Sequence, residues 1–141
     1  MADWFSGVEA AIGGAAAGAV QSQSEWAGLK AQAAAGTLRM EPGVAEACAT
    51  ACQVAHEAMY DHISEIRRAT RVIGMGSWQS GITLAKKFSE KADGAANNNS
   101  AVGVLTTHQQ VLADMRDTFR AAGRAYAAVE QANVHAVGGI A

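Results

Sequence analysis

Proline appears once in this 141-residue chain, cysteine twice, and aromatic residues make up only 6%. One proline leaves long stretches free of helix breakers. Charged residues are also scarce at 17%, and the formal net charge is −2, so no global field draws the chain to nucleic acid or anionic lipid. The densest basic stretch, Arg67, Arg68, Arg71, Lys86, Lys87 and Lys91, is interrupted by Glu65 and Glu90 and reads as a solvated helix end. No apolar run approaches the ~20 residues a membrane span needs. The stretch from Val8 to Val20 lacks the basic lead and strong apolar core of a secretory signal, so export is expected to use another route if it occurs. Cys48 and Cys52 stand four apart on a helical pattern, where Cβ atoms lie ~5–6 Å apart and a disulfide wants ~3.5–4.5 Å. Two buried thiols in a reducing compartment are the expectation.

Alanine, the strongest helix former, supplies about a quarter of the residues, and 50% of the chain is hydrophobic. The fold class expected is all-α, one domain's worth of chain. Residues 1–36 form an Ala/Gly-rich segment anchored by Trp4, Phe5 and Trp26. Gly13, Gly14 and Gly18 each cost ~1 kcal/mol against alanine there, so this segment is expected to be helical only when packed. Residues 37–133 hold the main domain, and 134–141 are expected to be a flexible tail.

Within the main domain Pro42 opens a helix at its first position, where a missing N–H is harmless. Val44, Cys48, Cys52, Ala55, Met59, Ile63, Ile66, Thr70 and Ile73 follow at steps of three and four, predicting a helix over 42–73. Gly74, Gly76 and Gly81 bracket Trp78 and stop it. A short helix is expected over 82–93, a break at Gly94 and Asn97 to Asn99, and an N-cap at Ser100. Leu105, His108, Leu112, Met115, Phe119, Ala122, Tyr126 and Val129 then repeat at three and four in a second long helix over 101–132. The 3.5 period marks a coiled-coil-like seam. Asp114, Arg116, Asp117, Arg120 and Arg124 occupy its other side. Two long helices with a glycine-rich bend between them form an antiparallel hairpin. Such a hairpin leaves apolar surface uncovered, so either the N-terminal segment packs on it or another hairpin does, a second copy included. Leu105, Leu112, Met115, Phe119, Ile63 and Ile66 are the expected pairing residues.

No nucleophile–base pair, carboxylate pair or phosphate-cradling loop is recognisable, so neither an enzyme nor a cofactor is expected. Cys48, Cys52 and His56 share a helical face and leave open a cytosolic metal-binding bundle, against the plainer reading of small side chains lining a helix contact. His108 reads as a core histidine. Trp78 has two readings, a wedge between the arms or a protruding contact for a partner.

A tryptophan in a Gly/Ser-rich bend between two amphipathic helices, followed by Tyr126-Ala-Ala-Val-Glu130, resembles the WXG family of small helical hairpins secreted by type VII (ESX) systems in actinobacteria and related bacteria. Leu38 to Pro42, Leu84 to Phe88 and Ala121 to Tyr126 are similar to its larger, Ala-rich members, and the likeness covers roughly residues 38–133. Ser80 stands where the Trp-x-Gly signature has glycine, with Gly81 one residue later. The resemblance implies a four-helix bundle made by pairing hairpins and export by type VII machinery from the cytoplasm to the medium or cell surface. It also implies an export signal at Tyr126 and Glu130 and a signature turn at Trp78 and Gly81. A variant of this reading is an adaptor or chaperone hairpin for a larger secreted protein.

Overall fold

The computed structural model describes residues 2–94 and 99–139, with side chains from residue 10 onward. The described residues form four helices and no strand: α1 (Ala2–Ala34), α2 (Pro42–Ala69), α3 (Gln79–Ala92) and α4 (Ala101–Gly138). The all-α class, the N-terminal helix, both long helices and the short one are therefore present. None of the described helices is long and apolar enough to cross a membrane.

The chain divides into two compact units, one of Met1–Ser22 with Glu57–Gln110, the other of Gln23–His56 with Val111–Ala141. Each combines part of α1 with parts of α2 and α4, so the N-terminal segment contributes to both.

In the second unit α2 and α4 run antiparallel. Their approach is set by small residues: Ala45, Ala49 and Ala122 are at most 1% exposed. A Cβ placed on Gly123 would lie 3.0 Å from that of Ala45 and 3.6 Å from the Pro42 Cα. The Met40 N–H donates to the Ala122 carbonyl at 3.2 Å, fixing the entry to α2 against α4. The first turn of α2 is closed by Glu41, whose carboxylate accepts from the N–H groups of Gly43 and Val44 at 3.0 and 2.8 Å. α1 ends at Ala34 and is closed by Gly36 with φ 78°, a left-handed residue that lets Thr37 and Leu38 N–H groups reach the Gln32 carbonyl. Ala33 is buried, and Trp26 meets Phe119. α1 thus covers part of the α4 stripe, the first of the two ways expected for closing the hairpin.

In the first unit Ala19, Ile63, Val102 and Val104 are buried. Ser100 caps α4 as expected, accepting from the Gly103 N–H at 3.1 Å. The anticipated Asn97 to Asn99 break falls mostly outside the described residues.

Three expectations need correction. The stripe of α2 begins at Ala45 and Ala49, with Val44 and Ala55 exposed; a branched side chain at the contact would hold the helices apart where Gly123 meets Ala45. α2 stops at Ala69, not 73: the Thr70 N–H reaches the Arg67 carbonyl at 3.4 Å in a tight closing turn, and its hydroxyl takes up the Ile66 and Arg67 carbonyls that the helix leaves open. α4 runs on to Gly138, past 132 and into the segment expected to be a flexible tail.

Candidate functional site: exposed helix ends and an apolar groove

α4 carries the expected export residues. Tyr126 is 37% exposed and Glu130 is exposed, one turn apart on a continuous helix, and every described residue from Glu130 to Gly139 is exposed. Spacing of four puts the two on one face. This end of α4 has no apolar partner among the described residues, although Val134 and Val137 are largely exposed.

The charged side of α4 in the second unit is engaged, not simply solvated. Lys30 of α1 reaches Asp114 at 3.1 Å and Asp117 at 3.3 Å. From α2, Gln53 accepts from Arg116 at 2.8 Å, and Glu46 pairs with Arg120 at 3.0 Å. These partners tie α4 to α1 on one flank and to α2 on the other. The Glu46 carboxyl is held below its ordinary range by the Arg120 hydrogen bond. For Asp117, burial pulls upward, but hydrogen bonds from Arg116 and Lys30 outweigh it and the carboxyl ends low. Lys30 is raised by its two aspartates.

The expected pairing residues fall into different settings. Ile63 is buried in the core of the first unit. Leu112, Met115 and Phe119 are half-buried, with Phe119 against Trp26. Ile66 and Leu105 line an apolar groove of about 410 Å³ in the first unit, with Ala11, Ile12 and Ala15 of α1 opposite.

Trp78 protrudes, at 81% exposed, from the N-terminus of α3. Gly81 sits in the first turn of α3, directly over the Met75 carbonyl, and a Cβ there would collide with it. The bend is further fastened by the Ser89 hydroxyl donating to the Thr70 carbonyl at 2.7 Å and by an Arg67–Asp93 pair at 3.2 Å. Ile73 and Ile82 are exposed beside Trp78 in sequence, a cluster that periodicity did not reveal.

Cys48 and Cys52 are free thiols, Cys48 half-buried and Cys52 buried. Burial, with a smaller contribution from Cys48, pushes the Cys52 thiol up and away from the thiolate a metal needs. Among the described residues no three His, Cys, Asp or Glu side chains converge on a possible metal position, so Cys48, Cys52 and His56 do not assemble the alternative metal centre.

The fold places the chain among all-α bundles. Comparison with protein-family models, curated proteins and solved structures finds no match.

Proposed function

We propose that this chain is a type VII secretion-associated protein of the WXG-like kind, acting by helix pairing and not by catalysis. Tyr126 and Glu130 form its export signal on this reading. The observation that carries it is their joint exposure on one face of α4, at the start of a helical stretch that no other described element covers. A receptor can grip an aromatic and a carboxylate one turn apart on such a stretch without unfolding the bundle.

Pairing with a second hairpin takes a narrower form than the sequence suggested. α1 occupies the stripe around Phe119, so the open groove at Ile66 and Leu105 is where a partner helix would seat. The adaptor variant differs only in the partner, a larger secreted protein in place of a second small hairpin.

The test is an immunoblot of culture filtrate and lysate from the native host, comparing wild type with Tyr126→Ala and Glu130→Ala beside a cytosolic lysis marker. Wild type in the filtrate with both variants retained in the lysate is the expected result. Wild type confined to the lysate would reduce the reading to a likeness of fold.

A further inference from the structure

From the bend between α2 and α3 and the helices that leave it, we propose that the chain docks on an anionic lipid surface, with Trp78 and Ile82 entering the interface and Arg68, Arg71 and Lys87 contacting headgroups. This proposal is independent of the export reading and uses none of its residues.

The apolar component is unusually concentrated. Ile73 is 78% exposed, Trp78 81% and Ile82 51%, with Met75 also exposed, all within ten residues. Trp78 and Ile82 are one helical turn apart, joined by the Ile82 N–H donating to the Trp78 carbonyl at 3.0 Å. No residue of α3 is fully buried, so the helix lies on the surface of its unit. Side chains this exposed stand out from the bend and do not line a groove. An indole bearing an N–H at its rim is suited to the boundary between headgroups and acyl chains.

The charge is complementary to such a surface. Residues 65–94 carry six Lys or Arg (Arg67, Arg68, Arg71, Lys86, Lys87, Lys91) against Glu65, Glu90 and Asp93, although the whole chain is net −2. The positive surplus is therefore local and is opposed by the remainder of the chain. Arg67 is committed to Asp93 and Lys86 to Glu90. Arg68, Arg71 and Lys87 are exposed and enter no ion pair among the described residues. Arg68 lies on α2, Arg71 in the link that follows it and Lys87 on α3, so they flank the apolar bend, and no carboxylate falls between Arg71 and Lys87 in sequence. An apolar tip flanked by free cations is the arrangement by which amphipathic elements bind anionic interfaces, combining buried apolar area with electrostatic attraction.

The element is also preformed. Gly74 and Gly76 take φ of 89° and 77°, Gly81 lets the bend close on Met75, and Ser89 and Arg67 fasten it. Binding then requires little ordering of the backbone, which lowers its cost.

The experiment is co-sedimentation of the full chain with phosphatidylcholine vesicles, with and without phosphatidylglycerol. It is accompanied by Trp78 emission recorded in a Trp4→Phe, Trp26→Phe background. Binding is expected only with the anionic lipid, falling as salt rises, with a blue shift and quenching of Trp78 by brominated acyl chains. Each cation contributes about fivefold, so the triple variant Arg68→Gln, Arg71→Gln, Lys87→Gln is expected to lose about a hundredfold. Trp78→Ser with Ile82→Ser should weaken binding in the co-sedimentation while leaving the far-ultraviolet circular dichroism intact, since both side chains are exposed. Equal binding to neutral and anionic vesicles, or none to either, would overturn the proposal. So would a concentration-dependent dimer in vesicle-free sedimentation that Trp78→Ser, Ile82→Ser dissolves, because the bend would then serve a second copy of the chain.

Discussion

Trp26 of α1 meets Phe119 of α4 edge to face, with ring centroids 5.6 Å apart and planes at 61°. The contact joins two large aromatics of a chain that has few, and it accounts for how a glycine-interrupted helix stays docked. α1 has weak intrinsic helicity around Gly13, Gly14 and Gly18, so its order depends on anchors of this kind. Replacing the indole, Trp26→Ala, removes the ring pair and its apolar burial and is expected to destabilise the chain by about 2–4 kcal/mol. Urea unfolding followed by circular dichroism measures this. A midpoint equal to wild type would mean that the small-residue contacts of α1 suffice without the ring.

Gly123 presents a competition between two effects of opposite sign. An alanine there gains about 1 kcal/mol of helix propensity, but its methyl would lie 3.0 Å from the Ala45 Cβ, a neighbour that has to give by a few tenths of an ångström. Gly123→Ala is therefore expected to be close to neutral. Gly123→Val adds two further carbon atoms at the same contact and is expected to lower stability by about 1–3 kcal/mol. Chemical unfolding of the two variants side by side separates propensity from packing. Equal stability would show that α2 and α4 slide apart at little cost.

The elements were legible in the sequence because their signals are local. Pro42 and Ser100 mark helix starts, the glycines around Trp78 mark the bend, and the three-and-four spacing marks the long helices. The facing of α2 was misread near its start because Val44 is more hydrophobic than Ala45, although closeness of approach, not hydrophobicity, decides that contact. The run Ala45, Ala49, Cys52 has the same period, and with Ala122 and Gly123 opposite it carries a small-residue signal that could have been read. The partners of Lys30, Asp114 and Asp117 were not legible: they are 84 and 87 residues apart, and nothing local encodes which flank of α4 receives α1. Tyr126 and Glu130 were found by their motif, whereas the exposure of Ile73 and Ile82 depends on α2 stopping at Ala69, which the apolar pattern alone does not reveal.

Stability should form a plateau in pH with limbs of opposite sign. Glu41, Glu46 and Asp117 are held below ordinary values of 4.5, 4.5 and 3.8 in the folded chain. Their contribution is complete above those values and is lost as pH falls through the lower folded-state ones. Lys30 is raised above 10.5; its contribution is complete below that value and is lost as pH rises through its folded-state one. All four lie near the surface, so each effect is small and screened by salt. Thermal unfolding at acid, neutral and alkaline pH tests this. Glu46→Gln with Asp117→Asn is expected to flatten the acid limb and Lys30→Gln the alkaline one; an unchanged acid limb in the first variant would assign that limb to other carboxylates.

The bend before α3 depends on a missing methyl. Gly81 lies within a helix, where alanine is ordinarily favoured by about 1 kcal/mol, yet its Cβ position is occupied by the Met75 carbonyl. That obstacle is backbone, and it cannot swing aside as a long side chain would. Gly81→Ala is therefore expected to push Met75 and its neighbours away from α3 and to cost a net 1–3 kcal/mol, roughly the range of overpacked sites. The loss should appear as an earlier thermal transition together with a change in acrylamide quenching of Trp78, three residues before the substitution. Gly28→Ala in α1, where nothing lies within 4 Å of the added methyl, is the control and is expected to be neutral or mildly stabilising. If both alanine variants gain stability alike, the bend is not braced against α3, and the preformed state of its apolar tip loses its structural cause.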